Sequence, residues 1–240
     1  LASVWQDQRM TADATGTQAA NPSELPDLVL GILGGTGDQG RGLARRFSMA
    51  GHRVIIGSRH AGRAKSAVAD LGGGPLIEGG LNHEAAAEAD VVIAAIPWEG
   101  HADLLSELAG PLAGKIVIDC VNPIGFDSRG AYSIGVPEGS AAEQAASVLP
   151  ASTVVGAFHH VSAQLLLDPD VDTMDLDVLV LGDDRAGTDL VIALAGEIPG
   201  MRGVYGGRLR NCGQVEAFTA NLVSINRRYK THAGIRVTDV

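Results

Sequence analysis

The chain has 240 residues, room for one large domain or for a large and a smaller one. Apolar residues make up 45% and aromatics only 4%, so the core is expected to be Ala, Val, Leu and Ile. Eighteen basic against 28 acidic residues leave a net charge of −10, which argues against a general nucleic-acid binder.

Residues 1–26 are rich in Ala, Thr, Gln, Asp and Asn without periodicity and read as a disordered leader, with Met10 a candidate true start. No positively charged apolar signal opens the chain, and no apolar run approaches the roughly 18 residues of a membrane span. Two cysteines, Cys120 and Cys212, are too few for a disulfide framework, so a cytoplasmic setting is expected.

The apolar run Leu28–Leu33 predicts a first strand, and Gly35-x-Gly37-x-x-Gly40 follows it directly. A helix is expected over Asp38–Ala50, with Leu43, Phe47 and Ala50 at helical spacing. This is where a dinucleotide fingerprint needs to sit. Gly35 is expected to make the sharp turn, Gly37 to let backbone approach a pyrophosphate, and Gly40 to let helix and strand pack closely. The helix N-terminus then offers its free N–H groups to phosphate.

A second strand, Arg53–Gly57, ends in Ser58-Arg59, 23 residues past Gly35. An NAD site places a carboxylate near this point for the ribose 2′-hydroxyl. Here a hydroxyl and a guanidinium stand instead, and both suit a 2′-phosphate, with Arg63 one turn on and Thr36 in the glycine loop able to join. The expectation is NADP rather than NAD; the competing reading of Ser58-Arg59 is a solvated helix start.

Further along, a helix over Ala61–Leu71 is stopped by Gly72-Gly73-Gly74-Pro75. A short strand at Leu76–Ile77 follows, then an Ala-rich helix capped by Asn82 and the strand Val91–Ile96, which Pro97-Trp98 ends. A helix to about Leu108 leads to the strand Ile116–Asp119. Strands alternating with helices predict a doubly wound, mostly parallel Rossmann-type sheet. Ligands in such sheets bind beyond the carboxyl ends of the strands. That rule gathers Gly34–Gly40, Ser58-Arg59, Ile96–Trp98 and Cys120–Ile124. Pro97-Trp98 is either a turn with a core aromatic or an apolar wall under a nicotinamide.

Gly125–Gly139 reads as loop, and Ser140-x-x-Glu143 has the form of a capping box for a helix to about Leu149. A boundary is expected near Pro150, with a smaller α/β C-terminal domain over 151–240. There, the strand Thr153–Ala157 delivers Phe158-His159-His160, the one obvious candidate for acid–base or hydrogen-bonding work, although a histidine so placed is commonly structural. Strands at Asp177–Leu181 and Arg202–Tyr205 precede a long helix over Gln214–Arg228. No nucleophilic triad and no zinc-like Cys/His spacing appear. From Met201 to Val240 seven basic residues face two acidic ones, either a landing site for an anionic ligand or a solvated or subunit-contact face.

Together, G-I-L-G-G-T-G-D-Q-G-R-G-L-A, I-I-G-S-R, I-P-W-E, G-S-A-A-E, G-A-F-H-H and N-R-R-Y-K-T-H-A-G-I-R-V resemble the NADPH-dependent coenzyme F420 reductases, from about Leu28 to the C-terminus. The glycine loop is common to many dehydrogenases; the combination is far more specific. The resemblance implies direct, reversible hydride exchange between NADP(H) and coenzyme F420, an 8-hydroxy-5-deazaflavin. It implies that Thr36, Gly37, Asp38 and Gln39 hold phosphates and that Ser58, Arg59 and Arg63 hold the 2′-phosphate. Trp98, Ala102 and Ile124 would line the nicotinamide side, and Ala163 would meet the carboxamide. His159, Val161 and Ala233 would border the deazaflavin, and the basic C-terminal segment would suit its phosphodiester and glutamate tail. It implies a homodimer or higher homo-oligomer with small-molecule partners only. His160 departs from archaeal members, which carry a small hydroxyl residue there. The alternatives are an NADP-dependent reductase of a small imine, keto acid or metal ion, and an NADPH-sensing module. The absence of Lys between Lys115 and Lys230 disfavours the hydroxyacid-type enzymes, and only turnover separates a sensor from an enzyme.

Overall fold

Alternation within the strands decides the architecture. Val54 and Ile56 of β2 (Arg53–Ser58) face one apolar layer and Ile55 the other; Val91 and Ile93 of β4 (Val91–Ala94) are likewise split from Val92 and Ala94. A strand buried on both faces needs helices on both. The computed structural model describes residues 25–240, so the expected leader lies, through residue 24, outside the described residues.

The sheet has eight strands in the order β10-β9-β8-β5-β4-β1-β2-β3. The remaining strands are β1 (Val29–Leu33), β3 (Ile77–Leu81), β5 (Ile116–Asp119), β8 (Thr153–Gly156), β9 (Leu176–Gly182) and β10 (Met201–Gly207). One face is covered by α1 (Asp38–Met49), α2 (Ala61–Asp70), α7 (Ala163–Leu167) and α8 (Arg185–Gly196), which bring Leu43, Phe47, Ala64, Leu166 and Val191 to the core. The other is covered by α3 (Asn82–Glu88), α4 (His101–Glu107), α5 (Ala109–Leu112), α6 (Ala141–Val148) and α9 (Cys212–Tyr229), through Ala85, Leu105, Leu112, Ala145 and Val215. This is the doubly wound α/β sheet expected. Among the described residues no helix is long and apolar enough to cross a membrane.

All pairings in the large sheet are parallel except β8 with β9, which meet antiparallel at just two positions, Val155↔Gly182 and Gly156↔Leu181. The expected boundary near Pro150 falls inside this sheet, because β5 and β8 pair directly on either side of it. β9 and the tail are tied by Asp177, which is fully buried. Its carboxylate accepts from Arg202 Nε (2.9 Å) and Nη2 (2.8 Å), Arg236 Nη1 (2.9 Å) and Val237 N (2.7 Å). These donors hold its pKa far below the ordinary carboxylate value.

Several local expectations change. Gly125–Gly139 is not all loop: β6 (Ile124–Asp127) and β7 (Gly130–Ser133) form an antiparallel hairpin, tightened by Asp127 Oδ1 accepting from Arg129 N and Gly130 N. β3 extends to Leu81, since pairing with β2 makes a strand of Glu78-Gly79-Gly80, which carries little strand propensity of its own. The helix expected to Leu108 is α4, which ends at Glu107, and a further short helix, α5, follows it. Asn82 does not cap α3. Leu81 holds the cap position, and its N–H donates to Glu84 Oε2 (2.6 Å), which frees Asn82 for the site. Ser140 caps α6 as expected, its hydroxyl accepting from Glu143 N (3.0 Å).

Candidate functional site

Strand order reverses between β1 and β4, and a cleft of about 610 Å³ opens beyond the carboxyl ends of these strands and β2. That is the switch point where doubly wound sheets bind ligands. The segments after β1, β2 and β4 supply its walls: Thr36, Gly37, Asp38 and Gln39; Ser58, Arg59, His60 and Arg63; Pro97, Glu99, Gly100 and Asp103.

The glycine loop works much as its spacing suggests, with one correction. Gly34, not Gly35, makes the sharp turn: its φ is +65°, a conformation that L side chains rarely adopt. Gly35 and Gly40 serve the close approach, since a Cβ on Gly40 would lie 2.6 Å from Gly35 Cα. Gly37 takes the N-cap position of α1, and a Cβ built on it meets nothing nearer than Gly34 O at 3.8 Å. The space in front of it is therefore open to an incoming group. The first i→i−4 bond of α1 is Arg41 N to Gly37 O, so the N–H groups of Asp38, Gln39 and Gly40 have no intrahelical acceptor. Open backbone, free N–H groups and a helix N-terminus fit a pyrophosphate. The side chains of Asp38 and Gln39 point elsewhere: Asp38 accepts from Arg41 Nη2 (2.7 Å), and Gln39 Nε2 donates to Phe158 O (3.2 Å). What they present to the cleft is their main chain.

At the end of β2, Ser58 is buried while Arg59 and Arg63 are exposed at the cleft mouth, and neither arginine is in a salt bridge or side-chain hydrogen bond within the described residues. No carboxylate lies on this strand end. A residue the sequence reading assigned to capping belongs here too: Asn82 Oδ1 accepts from Gly34 N (3.1 Å), fixing the loop from the side while Asn82 lines the cleft. Its helix-start position in the sequence hid that role.

The expected nicotinamide side is only partly assembled around this cleft. Pro97, Glu99 and Gly100 line it, while Trp98 and Ala102 are half-buried beside it and Ile124 begins the β6–β7 hairpin. A second hollow, about 510 Å³, adjoins the glycine loop at Asp38. It is lined by Ser162, Ala163 and Gln164 of the α7 start, and by Asn226, Lys230, Thr231 and His232. The tail reaches it because Ala233 N donates to Asn226 Oδ1 (2.6 Å), placing Ala233 next to His232. α7 is clamped onto α1 by the buried Arg46, whose guanidinium donates to the carbonyls of Leu165 (2.7 Å), Leu166 (2.9 Å), Asp168 (3.2 Å) and Val171 (2.7 Å).

The histidine pair differs from its expectation. His159 and His160 are buried and line neither of the two hollows described above, and among the described residues neither ring nitrogen of His159 has a hydrogen-bond partner. Burial drives both imidazoles down to about 4, so both are neutral near pH 7. His159 reaches the strand ends through its main chain: its carbonyl accepts from Asn122 Nδ2 (2.8 Å) and Thr219 Oγ1 (3.4 Å). Val161 is likewise core. Phe158, fully buried, holds a φ of +62°, an uncommon strain for a bulky side chain, and joins this turn to the glycine loop through Gln39. Of the seven basic residues after Met201, Arg202, Arg208 and Arg236 are paired with Asp177, Asp183 and Asp175. Arg210, Arg227, Arg228 and Lys230 form no salt bridge among the described residues, and Lys230 lines the second hollow. Cys120 and Cys212 are free and buried.

With this geometry in hand, the likeness to known proteins is specific. Residues 29–123 match the family described as NADP oxidoreductase, coenzyme F420-dependent. The chain is 38% identical over 221 residues to the F420-dependent NADP reductase of Methanothermobacter thermautotrophicus, covering 88% of this chain and 95% of that one. Identity to the F420-dependent NADP reductase of Methanocaldococcus jannaschii is also 38% over 221 residues, with 88% and 98% covered. A solved structure from Arthrobacter sp. FB24, whose name assigns it the same activity provisionally, superposes with a TM-score of 0.75 at 24% identity, covering 88% of this chain and 98% of that one.

Proposed function

The chain belongs to the family of F420-dependent NADP reductases, and from that premise we propose how its cleft carries out hydride exchange between NADP(H) and coenzyme F420. The nicotinamide and the deazaflavin supply the hydride chemistry themselves; the protein supplies binding, orientation and a dry approach. The α1 N-terminus takes the pyrophosphate through its free N–H groups. Ser58, Arg59 and Arg63 take the 2′-phosphate, the guanidiniums as charge-assisted donors. Thr36 closes the loop side.

Pro97, Trp98, Ala102 and Ile124 form the apolar wall along which the nicotinamide lies, and Ala163 meets its carboxamide. The second ring system enters from the α7 and tail side, bordered by Ala233, with Val161 packed behind that border. His159 keeps that border in place through its carbonyl rather than by proton transfer. Ring-to-ring transfer needs no acid–base dyad, only two planes held in near-attack contact. Lys230 at the second hollow, and Arg227 and Arg228 just before it at the end of α9 and beside the β6–β7 hairpin, form no salt bridge among the described residues and suit an anionic phosphodiester-glutamate tail. The observation that carries the assignment of NADP over NAD is the β2 end, where a serine and two arginines unpaired among the described residues stand and no carboxylate does.

The protomer also presents an apolar stripe. Phe218, Ile225 and Tyr229 are exposed along one side of α9, beside exposed Phe126 and Tyr132 of the hairpin. We propose that this is the face of a homodimer in a cytoplasmic enzyme. Phe218→Asp is expected to shift the sedimentation of the purified protein to that of a monomer.

The deciding assay follows the absorbance of oxidised coenzyme F420 on mixing with enzyme and NADPH, beside an NADH control. Bleaching with NADPH and little with NADH is expected. NADPH binding without bleaching would leave a small-substrate reductase or a sensor.

A further inference from the structure

Pro97 and Glu99 line the cleft, and the chain between and after them is held from behind. Residues 98–101 make a tight turn: His101 N donates to Trp98 O (3.1 Å), and Gly100 has φ 84° and ψ 13°. These values match the third residue of a type II turn. The turn brings its two end rings together, with the Trp98 and His101 centroids 5.7 Å apart and tilted by 33°.

His101 itself is fully buried, as is Asp119 at the end of β5. His101 Nε2 lies 2.7 Å from Asp119 Oδ2, and Nδ1 lies 3.0 Å from Gln144 Oε1 of α6. The amide nitrogen of Gln144 is engaged by Glu138 Oε2 (3.3 Å), so its oxygen is the atom that faces the imidazole. Asp119 Oδ1 is taken by Val121 N (2.9 Å). An imidazole with a carboxylate at one nitrogen and an amide oxygen at the other satisfies both only by carrying a proton on each.

We infer that His101 is a positioning residue for hydride transfer: a buried imidazolium, locked between Asp119 and Gln144, on which the Trp98 indole rests so that the cofactor wall keeps one orientation. A cation within about 6 Å of an indole centroid is attracted by the face of the ring. The groups around it agree in sign. Asp119 faces it from β5, Glu216 from α9 adds negative potential in its ionised form, Gln144 from α6 is neutral, and α5 carries no ionisable group. Burial alone lowers the His101 pKa, but the Asp119 hydrogen bond and charge, the Gln144 bond and Glu216 together raise it. Glu216 is anchored in turn, accepting from Ala141 N (2.9 Å) and Ala142 N (3.2 Å) at the start of α6. The network thus ties the cofactor wall to the helix that carries the exposed apolar stripe.

This inference rests on the assignment of Trp98 to the cofactor wall, and its primary tests need no substrate. Nitrogen-15 NMR of the histidine rings in the unmodified protein is expected to show His101 protonated at both nitrogens at pH 7; a neutral tautomer would overturn the proposal. In a Trp5→Phe background Trp98 is the only indole. A neighbouring imidazolium quenches indole emission, so Asp119→Asn and His101→Gln are each expected to brighten Trp98. Unchanged emission in a folded Asp119→Asn protein counts against the charged pair, and that variant carries the test if His101→Gln does not fold. In turnover, both variants are expected to lose about tenfold in kcat while the Kd for NADPH stays within about twofold, the pattern of a misplaced reacting ring on an intact phosphate grip. A matching loss in NADPH affinity would make the residue structural. NADPH binding without F420 turnover in the unmodified enzyme would instead remove the substrate reading and leave the NMR and emission results standing.

Discussion

Two arginine pairs of this molecule look alike in sequence and behave oppositely in the fold. Arg202 and Arg236 converge on the buried Asp177 and are consumed in holding β9 and the tail together. Arg59 and Arg63 stand at the cleft mouth with no acidic partner among the described residues. A cation already neutralised by its own protein is scaffold; one left unpaired beside a helix N-terminus is available to a ligand's phosphate. The +5 charge read from the C-terminal segment overstated its attraction for an anion, because three of its arginines are answered by aspartates far away in sequence.

Breaking the first pair should have the largest effect. Asp177→Ala is expected to cost roughly 3 kcal/mol of stability, the lower end for losing one member of a buried ion pair, because both guanidiniums are half exposed and can be rehydrated. Urea melts would measure it, and an unchanged midpoint would mean that the tail is not held there. The affinity for NADPH should stay within a few-fold. Arg59→Ala reverses the pattern. Stability should hold, while the Kd for NADPH rises roughly 10- to 100-fold, the worth of a charge-assisted hydrogen bond, and NADH is nearly unaffected. Equal losses for both nucleotides would remove the 2′-phosphate from that site. Arg63→Ala should act in the same direction but less, about threefold to tenfold, as a more distant charge.

At neutral pH the smallest effect is that of His159, which appears only on acidification. His159 ordinarily titrates at 6.5 but at about 4 in the fold, so between those values the unfolded chain binds a proton that the native one refuses. Its contribution therefore falls as pH drops from 6.5 to 4. His160 acts in the same sense. Glu216, raised from 4.5 to about 7 by burial, acts in the opposite one, since its native form takes up the proton first on acidification. His159→Gln should flatten the acid dependence of stability by up to about one proton in this window, with no change above pH 7. A slope identical to that of the parent would mean that His159 is hydrated in the native state.

What could be read from the chain follows the range of each interaction. The glycine loop, the β2 end and the strand–helix alternation depend on residues within a few positions of one another, and they appear nearly where the spacing puts them. The exceptions are instructive. The turn falls on Gly34 because the register of β1 against β4 places the bend one residue earlier. Asn82 looks like a helix cap, and only the approach of β1 turns it into a clasp on the loop. His101 carries no signal at all, since its meaning depends on Asp119 and Gln144, 18 and 43 positions away. Buried polar networks are assembled from distant strand ends and are silent in any local pattern.

The antiparallel meeting of β8 and β9 holds by two ladder positions, where each parallel junction beside it holds by four or more. For a lineage this is the cheapest place to splice. The unit of β9, α8 and β10 is braced by Asp177 to Arg202 within it and to the tail outside it, so replacing it means remaking two backbone pairs with β8 and the bonds from Asp177 to Ile235, Arg236 and Val237. A nucleotide-holding half inherited nearly unchanged can in this way be fitted with different flanks, and so with different hydride acceptors.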